Sequence, residues 1–295
     1  MDLAVIGHLS RDLLVTPDKT REVLGGGPAY AMMAPSVGEL PVGIVSKVGQ
    51  DFEKAYADQL ERSGLDLTGL RYEGDKSTRF VNEYDSFGRR TQRVEAIAPP
   101  LKTSDIPKAA LKARIVHLCP LLASEIGIPI LEAINTSKST VSLDAQGFLR
   151  KVERDFVVPQ QWEEMAGILS KVEILKLDAS ELEVAVPGEM KLTAAQHLLD
   201  LGPEIVVVTR DRAGSTIFTK TEVVEIPLVL ADRNVDTTGC GDTYAIGFLI
   251  EYDRTRDIKR AGLFGAACAS LNLESVGPGI MPSREQVLAR MSNYL

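Results

Sequence analysis

Apolar residues in this chain gather in short runs. Leu3–Ile6 ends at Gly7, and comparable runs recur at Val42–Val45, Ile115–Leu118, Thr140–Leu143, Ile174–Leu177 and Ile205–Thr209. Each is rich in β-branched residues and is followed by polar residues or glycine, which predicts strands buried on both faces. Segments of helical character lie between them: Ala29–Val37, Asp51–Ser63 before Gly64, then 122–136, 160–171 and 191–201, the last stopped by Gly202-Pro203. This alternation predicts an α/β protein with a three-layer α/β/α core around a mostly parallel sheet.

Two segments interrupt the alternation. Arg11–Leu24 follows the first strand without a helical period. Lys76–Ala98 alternates charged, aromatic and β-branched residues about a turn at Asp85-Ser86-Phe87-Gly88, which predicts an antiparallel hairpin of Phe80–Tyr84 against Thr91–Ile97. Such an insertion is either a small antiparallel β lid over a site or a plain edge hairpin. Pro99-Pro100 marks the return to the core. Without repeats, low-complexity tracts or flexible linkers, residues 1–295 are expected to form one unit, with lid segments at about 11–24 and 76–98.

Charge removes some classes of function. Lys and Arg number 33 against 41 Asp and Glu, a formal charge of −8. That balance does not suggest a face basic enough for nucleic-acid phosphates or an anionic membrane. A local pocket can still attract an anionic ligand. Three widely spaced cysteines, Cys119, Cys240 and Cys268, form no CxxC or zinc pattern and read as reduced thiols of a cytoplasmic protein. The N-terminus does not read as a leader. The longest apolar stretches, near Tyr244–Ile250 and Leu263–Leu273, fall short of the roughly 20 residues of a membrane span.

The most informative chemistry lies in Asp236-Thr237-Thr238-Gly239-Cys240-Gly241-Asp242, directly before an apolar, helix-like run. Glycines around a small residue at a helix start turn the backbone N–H groups of Gly239, Cys240 and Gly241 outward, and their partial positive charge suits a phosphate. Asp242, in the first turn, is either a helix N-cap or a base that takes a proton from a hydroxyl facing that phosphate. There is no Gly-x-x-x-x-Gly-Lys-Ser/Thr, and Tyr244 stands where a dinucleotide fingerprint needs its third glycine, so neither a P-loop nor NAD binding is expected. His8, His117 and His197 lack metal-ligand spacing. Asp144, Gln146 and Arg150 either line a ligand crevice at a strand end or lie in a surface loop.

The Gly-rich string resembles the signature of the ribokinase family, the PfkB carbohydrate kinases, usually Asp-Thr-x-Gly-Ala-Gly-Asp. The resemblance runs over essentially the whole chain. Gly7 and Asp12 are similar to the family's first strand and its hydroxyl-binding aspartate. Gly25-Gly26-Gly27-Pro28-Ala29 resembles its Gly-Gly substrate loop, and Val48-Gly49-Gln50-Asp51 its Val-Gly-x-Asp element. Asp178-Ala179-Ser180-Glu181 resembles its Asn-x-x-Glu motif, and Thr209–Gly214 its Thr-Leu-Gly-x-x-Gly nucleotide loop. The chain departs from the pattern with Tyr30 for asparagine, Cys240 for alanine, Ile246 for a small residue, Asp178 for asparagine, and Arg210-Asp211 for Leu-Gly.

The resemblance implies a ribokinase-like fold and an ATP-dependent kinase that moves the γ-phosphoryl group to a hydroxyl of a sugar or polyol. The alternatives are a nucleoside kinase of the same fold or a binding relative without turnover. In this reading Asp242 is the base, and Gly239, Cys240 and Gly241 hold the transferring phosphoryl. Asp12, Gly25, Gly26 and Gly27 bind substrate hydroxyls, while Tyr30 either stacks on the substrate or fills space. Thr209, Asp211, Gly214, Asp178, Glu181 and Gly241 face the nucleotide. Glu181 holds Mg²⁺ through water, and Asp236 with Thr238 belongs to a K⁺-type cation site. The lid is where a homodimer would form; no nucleic-acid or membrane partner is expected.

Overall fold

The computed structural model describes residues 1–85, 90–135 and 138–295. Most of the turn expected at 85–88 and the last residue of the helix expected over 122–136 lie outside the described residues. Among those described, the strands in chain order are β1 (Leu3–Ile6), β2 (Ser10–Val15), β3 (Thr20–Gly25), β4 (Val42–Val48), β5 (Asp66–Tyr72), β6 (Arg79–Tyr84), β7 (Arg90–Ala96), β8 (Ile115–Leu118), β9 (Thr140–Asp144), β10 (Arg150–Glu153), β11 (Phe156–Pro159), β12 (Ile174–Asp178), β13 (Ile205–Thr209), β14 (Ser215–Thr219) and β15 (Val223–Ile226).

They form two sheets. The larger has the order β15-β14-β13-β12-β9-β8-β1-β4-β5. From β13 to β5 every neighbouring pair is parallel, and β14 and β15 close one edge antiparallel. The six expected buried strands all belong to this sheet. Alternate strand residues face opposite sides. Leu3 and Val5 join one core with the helices Cys240–Thr255 and Ile258–Asn272. Ala4 and Ile6 join the other with the helices Ile128–Asn135, Ala179–Ala185 and Lys191–Asp200. These are the outer layers of the expected α/β/α arrangement.

The smaller sheet has the order β10-β11-β7-β6-β2-β3. Its neighbours are antiparallel except β2 and β6, which are parallel. The expected hairpin is present, with Asn82 opposite Gln92, and the segment 11–24 is a second hairpin. Phe80 and Val94 pack on Leu122, in the segment that follows β8. The β10–β11 hairpin extends this lid beyond the two expected segments. Its turn residues Arg154 and Asp155 take φ of 49° and 69°, the tight-turn backbone that Asn-Gly usually supplies.

Three helical expectations shrink, and of 122–136 the described α-helix is Ile128–Asn135. Ala29–Val37 becomes a short helix Gly27–Tyr30, a 3-10 turn Ala31–Met33 and a helix Ala34–Gly38. Pro35 near the start of the last piece carries no N–H to continue the ladder. Of 160–171 only Met165–Leu169 is α-helical. Trp162 precedes it and stacks on Phe148 with ring centroids 5.1 Å apart.

Candidate active site

Ligands of open parallel sheets bind beyond the carboxyl ends of the strands. Here those ends carry Gly7 after β1, Cys119 after β8, Asp144 at the end of β9, Asp178 at the end of β12 and Thr209 at the end of β13. The chain then crosses into the lid, where β2 presents Asp12, which is buried. The Gly25–Gly27 loop runs from Asp12 toward Asp242. A Cβ on Gly25 would lie 2.7 Å from both an Asp12 carboxylate oxygen and Ser10 Oγ, and one on Gly27 would lie 3.0 Å from Asp242 Oδ1. A larger residue would crowd Asp12 at position 25, and Cys119 and Asp242 at position 27.

Tyr30 follows this loop and is 3% exposed. A Cβ on Gly239 would overlap its ring, so the ring fills space behind the Gly-rich turn and is not open for stacking. Its hydroxyl is buried without a hydrogen-bond partner among the described residues, as is Ser10 Oγ. Burial, then Asp242 and Asp12, push the Tyr30 phenol well above its ordinary range. His8 makes other contacts. Its ring lies 3.0 Å from Thr78 Oγ1 and 3.1 Å from the Pro99 carbonyl, so it bridges core and lid.

Gly239 has φ +76° and is the N-cap of the helix Cys240–Thr255. The left-handed conformation and the adjoining ring together require glycine there. The Cys240 amide turns back to the Thr237 carbonyl at 3.3 Å. The amides of Gly239 and Gly241 make no bond to a described residue, so of the three expected donors only that of Cys240 is turned back. Asp242 does not cap this helix, which has no side-chain cap bond. Its carboxylate accepts no hydrogen bond from another described residue. Burial, then the neighbouring Asp144, raise its pKa to about 7, against the attraction of Lys176 and Arg150.

Lys176, which the sequence reading did not single out, lies two residues before the end of β12. It is 6% exposed, with Nζ 2.8 Å from Asp144 Oδ2 on the adjacent strand, opposite it in register. Burial raises Asp144, but Lys176 outweighs it and holds that carboxylate below its ordinary value. Asp178 and Glu181 form a capping box at the helix Ala179–Ala185: Asp178 Oδ1 accepts from the amides of Ser180 (2.7 Å) and Glu181 (2.8 Å), and Glu181 Oε2 from that of Asp178 (2.7 Å). Burial lifts Glu181 to about 7, with Asp144 and Asp178 adding and Lys176 opposing.

After β13 the chain makes a tight turn into β14. Asp211 stands where the resembling loop has its middle glycine and keeps a left-handed φ of 50°; Gly214 follows with φ 78°. Asp211 is exposed and close enough to add to the raised pKa of Cys240. Asp236 Oδ1 accepts from Thr238 N (2.9 Å) and Oγ1 (2.7 Å), and its Oδ2 from Gly277 N (3.3 Å), which fixes the loop before the turn. Among the described residues, no three His, Cys, Asp or Glu side chains converge as a metal-ligand set, and no helix is long and apolar enough to cross a membrane.

A family model for the pfkB family carbohydrate kinases matches residues 2–285. The chain belongs to this family. It is a phosphotransferase, a kinase for a small sugar or nucleoside. This pfkB kinase is 29% identical to a cytidine kinase of Thermococcus kodakarensis over 278 residues, 93% of this chain and 94% of that one. It is 29% identical to a nucleoside kinase of Methanothermobacter thermautotrophicus, covering 94% and 90%. The fold is that of a pyrophosphate-dependent kinase in the ribokinase family complexed with a pyrophosphate analog and myo-inositol, with a TM-score of 0.84 at 24% identity, covering 97% of this pfkB kinase and 99% of that chain.

Proposed function

We propose that this kinase transfers the γ-phosphoryl group of ATP to a ribose hydroxyl of a nucleoside, with Asp242 as the base. The observation that carries the roles is the state of Asp242. It sits between the Gly27 loop and the free Gly241 amide, caps nothing, and titrates near neutrality. A carboxylate with that proton affinity takes a hydroxyl proton readily at neutral pH. Asp12 and the Gly25–Gly27 loop hold the acceptor hydroxyls, and the orphaned Ser10 and Tyr30 hydroxyls border the same space. The turn at Gly239–Gly241 receives the phosphoryl group, and positioning with charge neutralisation does most of the work in such a transfer.

Thr209, Asp211 and Gly214 line the nucleotide side, with Asp178 and Glu181 at its edge. These residues fit a hydrated Mg²⁺ better than a bare one, because Glu181 spends one oxygen on the Asp178 amide and no ligand set converges. When bound, Mg²⁺ would neutralise phosphate charge, with Glu181 as its outer contact. Asp236 and Thr238 are the candidates for a monovalent cation. Sequence alone places sugar or polyol ahead of nucleoside; the likeness to cytidine and nucleoside kinases over more than nine-tenths of the chain supports the nucleoside reading. A reduced, cytoplasmic setting fits the three free thiols, and a lid-mediated homodimer fits the exposed Ile97 and Phe156. ADP release measured with cytidine, inosine, adenosine, ribose, fructose and myo-inositol tests the acceptor. Turnover of a nucleoside above the free sugars is expected, and turnover of ribose or myo-inositol alone overturns it.

A further inference from the structure

Lys176 is a buried cation that the roles above leave without a task. A buried ammonium persists only where its charge is matched, and Asp144 supplies one match. The other two ammonium hydrogens have no acceptor among the described residues. The ammonium lies close to Gly241, where a Cβ would be 2.7 Å from Nζ. It therefore lies against a residue whose amide makes no bond to a described residue. Asp144, Glu181 and Asp242 all act on it. Burial opposes its charge, but those carboxylates outweigh burial and keep it protonated.

We propose that Lys176 is a further catalytic residue: held by Asp144, its ammonium contacts the transferring phosphoryl group from beneath the turn, beside the Gly241 amide. This rests on the turn being the transfer site. As the acceptor oxygen bonds to phosphorus, its proton passes to Asp242, the bond from phosphorus to the bridging oxygen breaks, and that electron pair leaves with ADP. Lys176 neither gains nor loses a proton in this step. It offsets the negative charge on the phosphoryl oxygens, in a site where a fixed donor acts more strongly than in water. Asp144 is then a positioning residue, acting through Lys176. Because Lys176 also opposes the raised proton affinity of Asp242, it sets where the rate falls on the acid side.

The test uses the full chain, ATP and the best acceptor of the wild-type enzyme. Lys176→Met should lower kcat by about 10²–10³-fold, the loss typical of one transition-state donor. Acceptor KM should change little, and the acid limb of the pH profile should move to higher pH. Lys176→Arg should recover part of the rate. Gly241→Ala should push the flexible ammonium aside without removing charge, and should lower kcat while melting near the parent. If Lys176→Met fails to fold, Gly241→Ala and Lys176→Arg decide. Near-parental kcat and an unmoved acid limb in the folded variants overturn the assignment. An Asp242→Asn enzyme that still turns over would instead overturn the transfer site itself, so the two failures are separable.

Discussion

At about pH 7 the carboxyl of Asp242 passes from a weak acid to a usable base. The rate on the true acceptor should therefore fall on the acid side with a midpoint near that value. A kcat/KM profile flat down to the ordinary carboxylate range would remove Asp242 from the role. Asp242→Asn keeps the shape and loses the base, so kcat should drop by roughly 10²–10⁴-fold with little change in acceptor KM. Stability should move the other way. A carboxyl whose folded pKa exceeds its ordinary 3.8 binds its proton more tightly when folded, so its contribution to stability declines as pH rises from about 4 to about 7 and stays low above that. At about pH 8 the asparagine variant should melt no lower than the parent, and a clear drop in Tm would make the residue structural. Tyr30→Phe follows similar logic. Its orphaned hydroxyl adds no internal hydrogen bond to the fold, so Tm should hold or rise, while a raised acceptor KM would place that hydroxyl on the ligand. Asp12, Asp242 and the glycines were legible because their spacing is local. Lys176 was not, since a lone lysine in an apolar strand acquires meaning only from Asp144, 32 residues away in the chain and paired through strand register.

Elements that bury both faces announced themselves, which is why β1, β8, β9, β12 and β13 emerged within a residue of their ends. The lid was harder. β10 (Arg-Lys-Val-Glu) and β11 (Phe-Val-Val-Pro) are four residues each and show no polar–apolar alternation, and their Arg154-Asp155 turn carries none of the glycine or asparagine that marks such hairpins. Yet this hairpin joins β7 through Phe156 opposite Arg93, and Arg150 at its start lies over the Phe80 ring at 5.7 Å. The lid is thus one sheet of three hairpins. If it closes on the acceptor to exclude water, all three should respond together. Hydrogen exchange on adding saturating acceptor should slow over 10–25, 79–96 and 150–159, with the buried core strands little changed. Protection confined to 10–25 and 79–96 would mean that the β10–β11 hairpin is an edge ornament and the lid is only the part foreseen from sequence.

Across the molecule, the turn that holds Asp242 depends on contacts far from any ligand. Glu251, on the same helix as Asp242, is fully buried. It is paired with Arg260 (2.6 Å) on the next helix and with Arg284 on the last one, itself nearly buried and lying over the Phe264 ring at 4.9 Å. Arg284 also donates to the Val37 carbonyl at 3.4 Å, beside the helices that follow the Gly25–Gly27 loop. One carboxylate thus joins the helix of the base to the segment that carries the acceptor loop. Glu251→Ala would leave Arg284 buried and unpaired, at a cost of about 3–5 kcal/mol. For a chain of this size that corresponds to a Tm lower by roughly 6–20 °C. Replacing Glu251 and Arg284 together with leucine should recover much of the loss, because the desolvated charges go together. Turnover per folded molecule should stay near parental in the double variant if the network serves only stability. A double variant that melts normally but loses kcat would mean instead that the ion pairs fix the angle at which the helix presents Asp242 to the acceptor.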